Sequence, residues 1–116
     1  MIRLYRLTTG EDVIGTPVEE GEPLQEGEQE NHIDFEYIKK PFVLIPMQGQ
    51  PGQPMSIGFH PYIPYTKDEV IKIKKDNIIT STNPDTHLIE AYDKNTTSLI
   101  KPSSKIITWF YLSFVI

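Results

Sequence analysis

The chain contains no cysteine. That absence excludes disulfide frameworks, thiolate metal sites and cysteine nucleophiles, and it fits a reducing compartment. Histidine is nearly as scarce. His32, His60 and His87 are scattered, and only His32 and Asp34 could share a strand face, which leaves a metal short of the ligands it needs. No Gly-x-Ser-x-Gly, His-Glu-x-x-His, phosphate-loop or Gly-x-Gly-x-x-Gly pattern occurs. A non-catalytic protein without a metal or cofactor is therefore expected. Long apolar runs are missing too. The uncharged apolar tail, residues 106–116, has eleven residues, well short of the roughly 20 that cross a bilayer as a helix. A single strand of that length cannot close a barrel in a membrane. Met1 to Arg6 is charged and too short in apolar residues for a secretory signal, so a cytoplasmic location without membrane contact is expected.

What is plentiful is glutamate, and it is unevenly placed. Residues 1–36 hold ten acids and two bases, a balance of −8, whereas residues 37–116 hold nine bases and six acids, a balance of +3, which together give the net charge of −5. Six of the acids fall between Glu19 and Glu30, among two glycines and a proline. Such a segment has almost nothing to bury and reads as a solvated, disordered insertion at 19–32. It lacks the spaced Asp/Asn ligands of a calcium loop.

The remaining pattern is that of strands. At 116 residues a single domain with one core is expected. Ile2 to Leu7 and Val13 to Val18 form a hairpin whose turn places Gly10 at positive φ, and Gly15 marks a bend, a bulge or a close backbone approach inside the second strand. Ile33 to Met47 is an extended run kinked at Pro41. Ile57, Phe59, Ile63 and Tyr65 alternate on an edge strand irregular with prolines. Val70 to Lys74 and Ile78 to Thr82 read as a last hairpin turning at Lys75-Asp76-Asn77. Asn83-Pro84-Asp85 starts a helix that reaches about Lys94, with Leu88, Ile89 and Tyr92 on one face. The uncharged tail at 106–116 needs burial against some partner, because an exposed stretch of such β-propensity aggregates.

Two of these turns carry a resemblance. Leu7 to Gly15 is a strand, a Gly-containing turn and a strand bearing Gly, and Ile73, Asp76, Asn77 and Ile78 match an Ile-Arg-Gly-Asp/Asn-Asn/Ser-Ile/Val signature. In both respects the chain resembles the Sm and Sm-like family of RNA-binding rings. The resemblance implies a mainly β fold, a small, strongly bent five-stranded barrel of the Sm or SH3 type, with one short helix and an apolar C-terminal segment. It implies a homo-oligomeric ring, paired strand to strand, that binds single-stranded RNA, and DNA as the second choice, around its pore. By residue, Lys74, Asp76 and Asn77 take the places that hold a flipped-out base. Departures are evident: Lys74 stands for the Arg, Lys75 for the Gly, and the family's Asp-x-x-Met-Asn signature is replaced by the acidic insertion. The stacking aromatic is left open among His32, Phe35 and Tyr37.

From the residues alone, Lys72, Lys74 and Lys75 are the one positive cluster beside a tight turn, with Lys39 and Lys40 a second candidate, and Lys72 and Lys74 share a strand face suited to successive phosphates. Lysine lacks the planar fork of arginine, which predicts weaker base selectivity. The competing reading is an assembly or protein-binding module, with the lysines serving only as a solvated edge.

Overall fold

The computed structural model describes residues 1–47, 51–52 and 56–100, with side chains as far as residue 96. The tail at 106–116 and most of the connector at 48–54 lie outside that set. The described residues fall into two units, 1–84 and a second that begins at Asp85.

The first unit is a six-stranded antiparallel sheet of β1 (Arg3–Leu7), β2 (Asp12–Pro17), β3 (Phe35–Met47), β4 (Ser56–Pro61), β5 (Val70–Lys74) and β6 (Ile78–Thr82). The order is β4-β3-β2-β1-β6, with β5 also on β3. The mainly β expectation holds, with six strands where five were expected, and the sheet is not closed on itself. β5 and β6 are not a hairpin. They are separated by a 3-10 turn, Lys75–Asn77, after which β6 pairs with β1 while β5 pairs with β3. The turn is a corner between sheet ends, docked on the first hairpin by a bond from the Thr8 N–H to the Asn77 carbonyl at 2.8 Å.

The first hairpin forms as its residues require. Gly10 has φ +94°, and the Arg6–Asp12 cross-strand pair is bidentate at 2.7 and 3.0 Å. The long strand β3 then serves three partners. β2 lies along one edge, while the other edge is shared by β5 against Phe35–Lys39 and by β4 against Phe42–Met47. The strand bends between those halves. Lys40 takes φ +52°, and the β2–β3 register slips there, so that Lys40 and Pro41 together oppose Gly15. This is a bulge, and proline is tolerated in it because no ladder donor is needed. The Lys40 N–H bonds to the Glu69 carbonyl at 2.8 Å and the Pro41 carbonyl accepts the Tyr62 N–H at 2.9 Å. Gly15 is required by proximity: a Cβ there would run into the Ile38 side chain and sit 3.1 Å from the Lys39 carbonyl and 3.3 Å from the Pro41 Cα.

The bend gives the sheet two apolar clusters on opposite faces of β3–β5, following the strand period of two. Tyr5, Leu7, Val13, Ile38 and Ile73 fill one. Val18, Tyr37 and Val70 form the other, with Leu24 and Phe35 packed against them. Leu24 belongs to the acidic segment, which corrects the expectation of disorder. The segment follows a defined path over this second face, pinned by Gln25 Nε2 on the Val70 carbonyl at 3.1 Å, the Tyr37 hydroxyl on the Gln29 carbonyl at 3.0 Å and the Gly21 N–H on Glu30 Oε1 at 2.8 Å. One leucine among six glutamates is enough, because the segment's turns have side-chain and backbone partners of their own. The fourth strand is shorter than the alternation suggested. It ends at Pro61, and Ile63 and Tyr65 lie beyond it, exposed.

In the second unit, α1 (Thr86–Ile100) begins two residues later than expected. Asp85 is its cap, accepting the His87 N–H on Oδ1 at 2.8 Å and the Ile89 N–H on its carbonyl at 3.0 Å. Asn83 bonds instead to Arg3 Nη1.

Gly15→Ala should cost about 1–3 kcal/mol, since the added methyl has backbone on two sides and cannot be accommodated by a rotamer change. Urea unfolding measures it, and an unchanged midpoint would mean that the close approach is relaxed in solution. Leu24→Ala should cost about 1–2 kcal/mol, the share of a leucine's transfer energy that partial burial realises. No loss would return the acidic segment to the solvated state expected from its composition.

Candidate functional site

Lys72 and Lys74 do lie on one face of β5, and they are paired across the ladder with Tyr37 and Phe35. Lys75, Asp76 and Asn77 follow in the 3-10 turn, all exposed. Opposite them the chain makes a second small turn. Asn31 Oδ1 accepts the N–H groups of Ile33 and Asp34, both at 3.2 Å, and its Nδ2 donates to Asp34 Oδ2 at 3.0 Å. This is the Asx chemistry that holds a turn without strand pairing. The two turns are tied together by the Lys75 N–H on the Asp34 carbonyl at 2.9 Å and by the Lys75 ammonium, which donates to the His32 carbonyl.

Between them is a cleft of about 330 Å³ lined by Ile33, Asp34, Phe35, Lys74, Lys75 and Asp76. Four of the expected site residues, Phe35, Lys74, Lys75 and Asp76, are thereby brought together, with Asn77 the next residue of the turn. Ile33 and Asp34 join them unforeseen. The signal for Asp34 was the Asn31-x-x-Asp34 spacing, whose first residue organises the turn. The cleft holds two ammonium groups and two carboxylates, so it is a balanced polar site with an aromatic wall rather than a purely cationic patch.

The other three expected residues are differently engaged. Tyr37 is 1 % exposed, and its hydroxyl both donates to the Gln29 carbonyl and accepts the Asn31 N–H at 2.9 Å. It cannot stack on a ligand, which corrects its candidacy as the base-stacking aromatic. His32 stacks obliquely on Tyr37, ring centres 5.0 Å apart, and its Nε2 is 2.9 Å from Glu30 Oε1. Phe35 is left as the aromatic at the cleft. Lys72 places its ammonium 4.8 Å from the Phe35 ring centre and 3.2 Å from Glu28 Oε2. Its charge is already answered within the chain.

Several groups of the fold have displaced acidity, Tyr62 also being raised by burial and Arg6 by its pairing with Asp12. Burial, then the hydrogen bond to Glu36 Oε2 at 2.8 Å, pushes the Tyr5 hydroxyl well above its ordinary range. The Gly21 N–H, then His32, holds the Glu30 carboxyl below the usual carboxylate value. The Arg6 guanidinium does the same for Asp12. None of these lines the cleft, so they belong to the fold rather than to acid–base chemistry there. Among the described residues no group of three or more His, Asp or Glu could hold a metal ion, and no helix is long and apolar enough to cross a membrane.

No protein-family model and no curated protein matches this chain. The cleft and the sheet that carries it are therefore interpreted from their own chemistry.

The displaced acidities set the pH limits of the fold. Asp12 and Glu30 have folded values below their unfolded ones, so both favour the folded chain above the ordinary carboxylate range near pH 4, and that contribution fades as pH falls through the folded values. Tyr5 has the opposite sign: its raised value favours the fold below about pH 10 and penalises it above. A melting-temperature profile should thus fall at both ends. Glu30→Gln should flatten the acid limb and Tyr5→Phe the alkaline one, and limbs that survive these changes would assign them to other groups.

Proposed function

We propose that the protein is a non-catalytic homo-oligomeric module that binds single-stranded RNA, with single-stranded DNA as the weaker ligand, at the cleft between the Asn31–Phe35 turn and the Lys74–Asn77 corner. The observation that carries this is the convergence of an aromatic ring and two exposed lysines at one opening, with the exposed Asn77 next in the adjoining turn. Single-stranded nucleic acids are held in this way: bases find π-faces to stack on, ammonium groups meet phosphates, and amides read base edges. The carboxylates of Asp34 and Asp76 suit donors on a base edge better than a phosphate, so the base lies near them and the backbone runs toward Lys74 and Lys75.

The Sm-like reading draws support from strand order. A corner of 3-10 geometry joins the last two strands, which sit at opposite parts of the sheet. Among the described residues β6 pairs on one side only, as do β4 and β5. Such edges are what a ring built by strand pairing consumes. Closure of each sheet into a strongly bent barrel is part of the same proposal.

The second reading is a protein-binding assembly module. It is favoured by Ile45, Met47 and Ile57 on the β3–β4 arm, which are 37 %, 48 % and 47 % exposed and could cover a partner without any nucleic acid.

Uridine-rich and adenine-rich oligomers titrated against the full chain, with the oligomeric state followed by light scattering, separate the readings. Lys74→Ala with Lys75→Ala should weaken binding for every sequence and flatten the slope of log affinity against log salt by about 0.7 for each phosphate no longer neutralised. Asn77→Ala should leave the slope alone and narrow the difference between the two oligomers. A monomer would remove the ring, and no affinity for either oligomer near 50 mM salt would leave the protein-binding module in its place.

A further inference from the structure

Lys72 differs from its neighbours Lys74 and Lys75 in one respect: it already has an anion. Glu28 Oε2 is 3.2 Å from its ammonium, with Glu28 largely covered at 18 % side-chain exposure and Lys72 still 44 % exposed. The glutamate is held there by its own segment. Gln25 Nε2 bonds to the Val70 carbonyl at 3.1 Å and approaches Glu28 Oε1 at 3.4 Å, while Leu24 packs on the Val18, Tyr37 and Val70 cluster. Lys72 and Lys74 are two residues apart on one strand face, about 6.6 Å along the strand. A phosphate chain running across β5 would meet both, and at Lys72 it would find a carboxylate in its place.

We infer that Lys72 is a masked phosphate contact and that Glu28, carried by the glutamate-rich segment, is the tethered competitor that single-stranded nucleic acid must displace to reach it. This rests on the nucleic-acid reading proposed above. The segment is suited to the role because its apolar anchor and its anionic contact are separate. Leu24 and Gln25 hold it to the sheet, while the Glu28–Lys72 pair is partly exposed and so is weak enough to exchange. The exchange also predicts a signature in salt. When phosphate replaces Glu28 on Lys72, the freed carboxylate recovers its own counterion, so this contact adds almost nothing to the salt dependence of the native chain. Without the carboxylate, the same contact contributes its full share.

The test is a cycle of Glu28→Gln, Lys72→Ala and the double variant in the full chain, titrated with a uridine-rich RNA oligomer between about 50 and 200 mM salt. Glu28→Gln should tighten binding and steepen the slope by about 0.7, so its advantage over the native chain should be about threefold larger at the low end of that range. Lys72→Ala alone should leave the slope unchanged, and in the Glu28→Gln background it should abolish the gain. Glu26→Gln removes an equal charge from an exposed position of the same segment and should have a smaller effect that does not depend on Lys72. Equal effects of the two glutamine variants would replace the competitor with general repulsion and overturn the inference, as would a gain that survives Lys72→Ala. If binding is present and Glu28→Gln leaves the slope unchanged, the inference fails while the nucleic-acid reading stands. If neither the native chain nor Glu28→Gln binds, the nucleic-acid reading itself fails.

Discussion

The structure depends on one crossing of backbone against backbone, where Gly15 of β2 meets the Lys40–Pro41 bulge of β3. A straight strand of thirteen residues would offer a single continuous edge to one partner. The bulge turns β3 so that its first half can take β5 and its second half β4 along the same edge, while β2 runs past both halves on the other. The requirements are mutual. Lys40 accepts a left-handed backbone, which strains a residue bearing a Cβ, and Gly15 gives up a side chain to make room. The two bonds flanking the bend, to Glu69 and Tyr62, bring the segments after β4 back to the sheet and hold the strain in place.

From that bend follows a two-sided arrangement of the β3–β5 ladder. One face closes on Tyr5, Leu7 and Val13, and the Tyr5 hydroxyl buried there is satisfied by Glu36. The other face is covered by the glutamate-rich segment, through Leu24, Gln25 and the backbone of Gln29. The cleft sits where this covered face ends, so the same segment that protects Tyr37 also sets which lysines of β5 are free.

The local elements were legible in the sequence because they depend on local chemistry. Gly10, Gly15 and Pro41 announced the turn, the close approach and the kink, and alternating residues announced the strands. What local chemistry does not encode is which strand meets which. Val70 to Lys74 and Ile78 to Thr82 looked like hairpin partners because they are adjacent, yet the 3-10 turn between them sends each to a different strand. Composition misled in the acidic segment, since one leucine and one glutamine decide its path while six glutamates dominate any average. At the cleft, Lys74 and Lys75 were singled out as a positive cluster beside a turn and Asp76 by the family resemblance, whereas which of three aromatics lines the cleft, Phe35, depends on the burial of Tyr37 and the pairing of His32. Ile33 and Asp34 were missed because the Asx turn that presents them interrupts an otherwise strand-like run.

The corner at Lys75–Asn77 also orders the formation of the sheet in time. The hairpin of β1 and β2 closes over a handful of residues, whereas the β1–β6 ladder, in which Arg3 reaches Ser81 across 78 positions, closes a loop of nearly the whole unit. Loop closure of that length is entropically dearer, and pairings of long sequence separation slow folding. The N-terminal strand therefore spends the early part of folding with its outer edge unpaired. That edge is shielded only by the last strand of the unit, which the Thr8–Asn77 bond at the corner ties to the first hairpin.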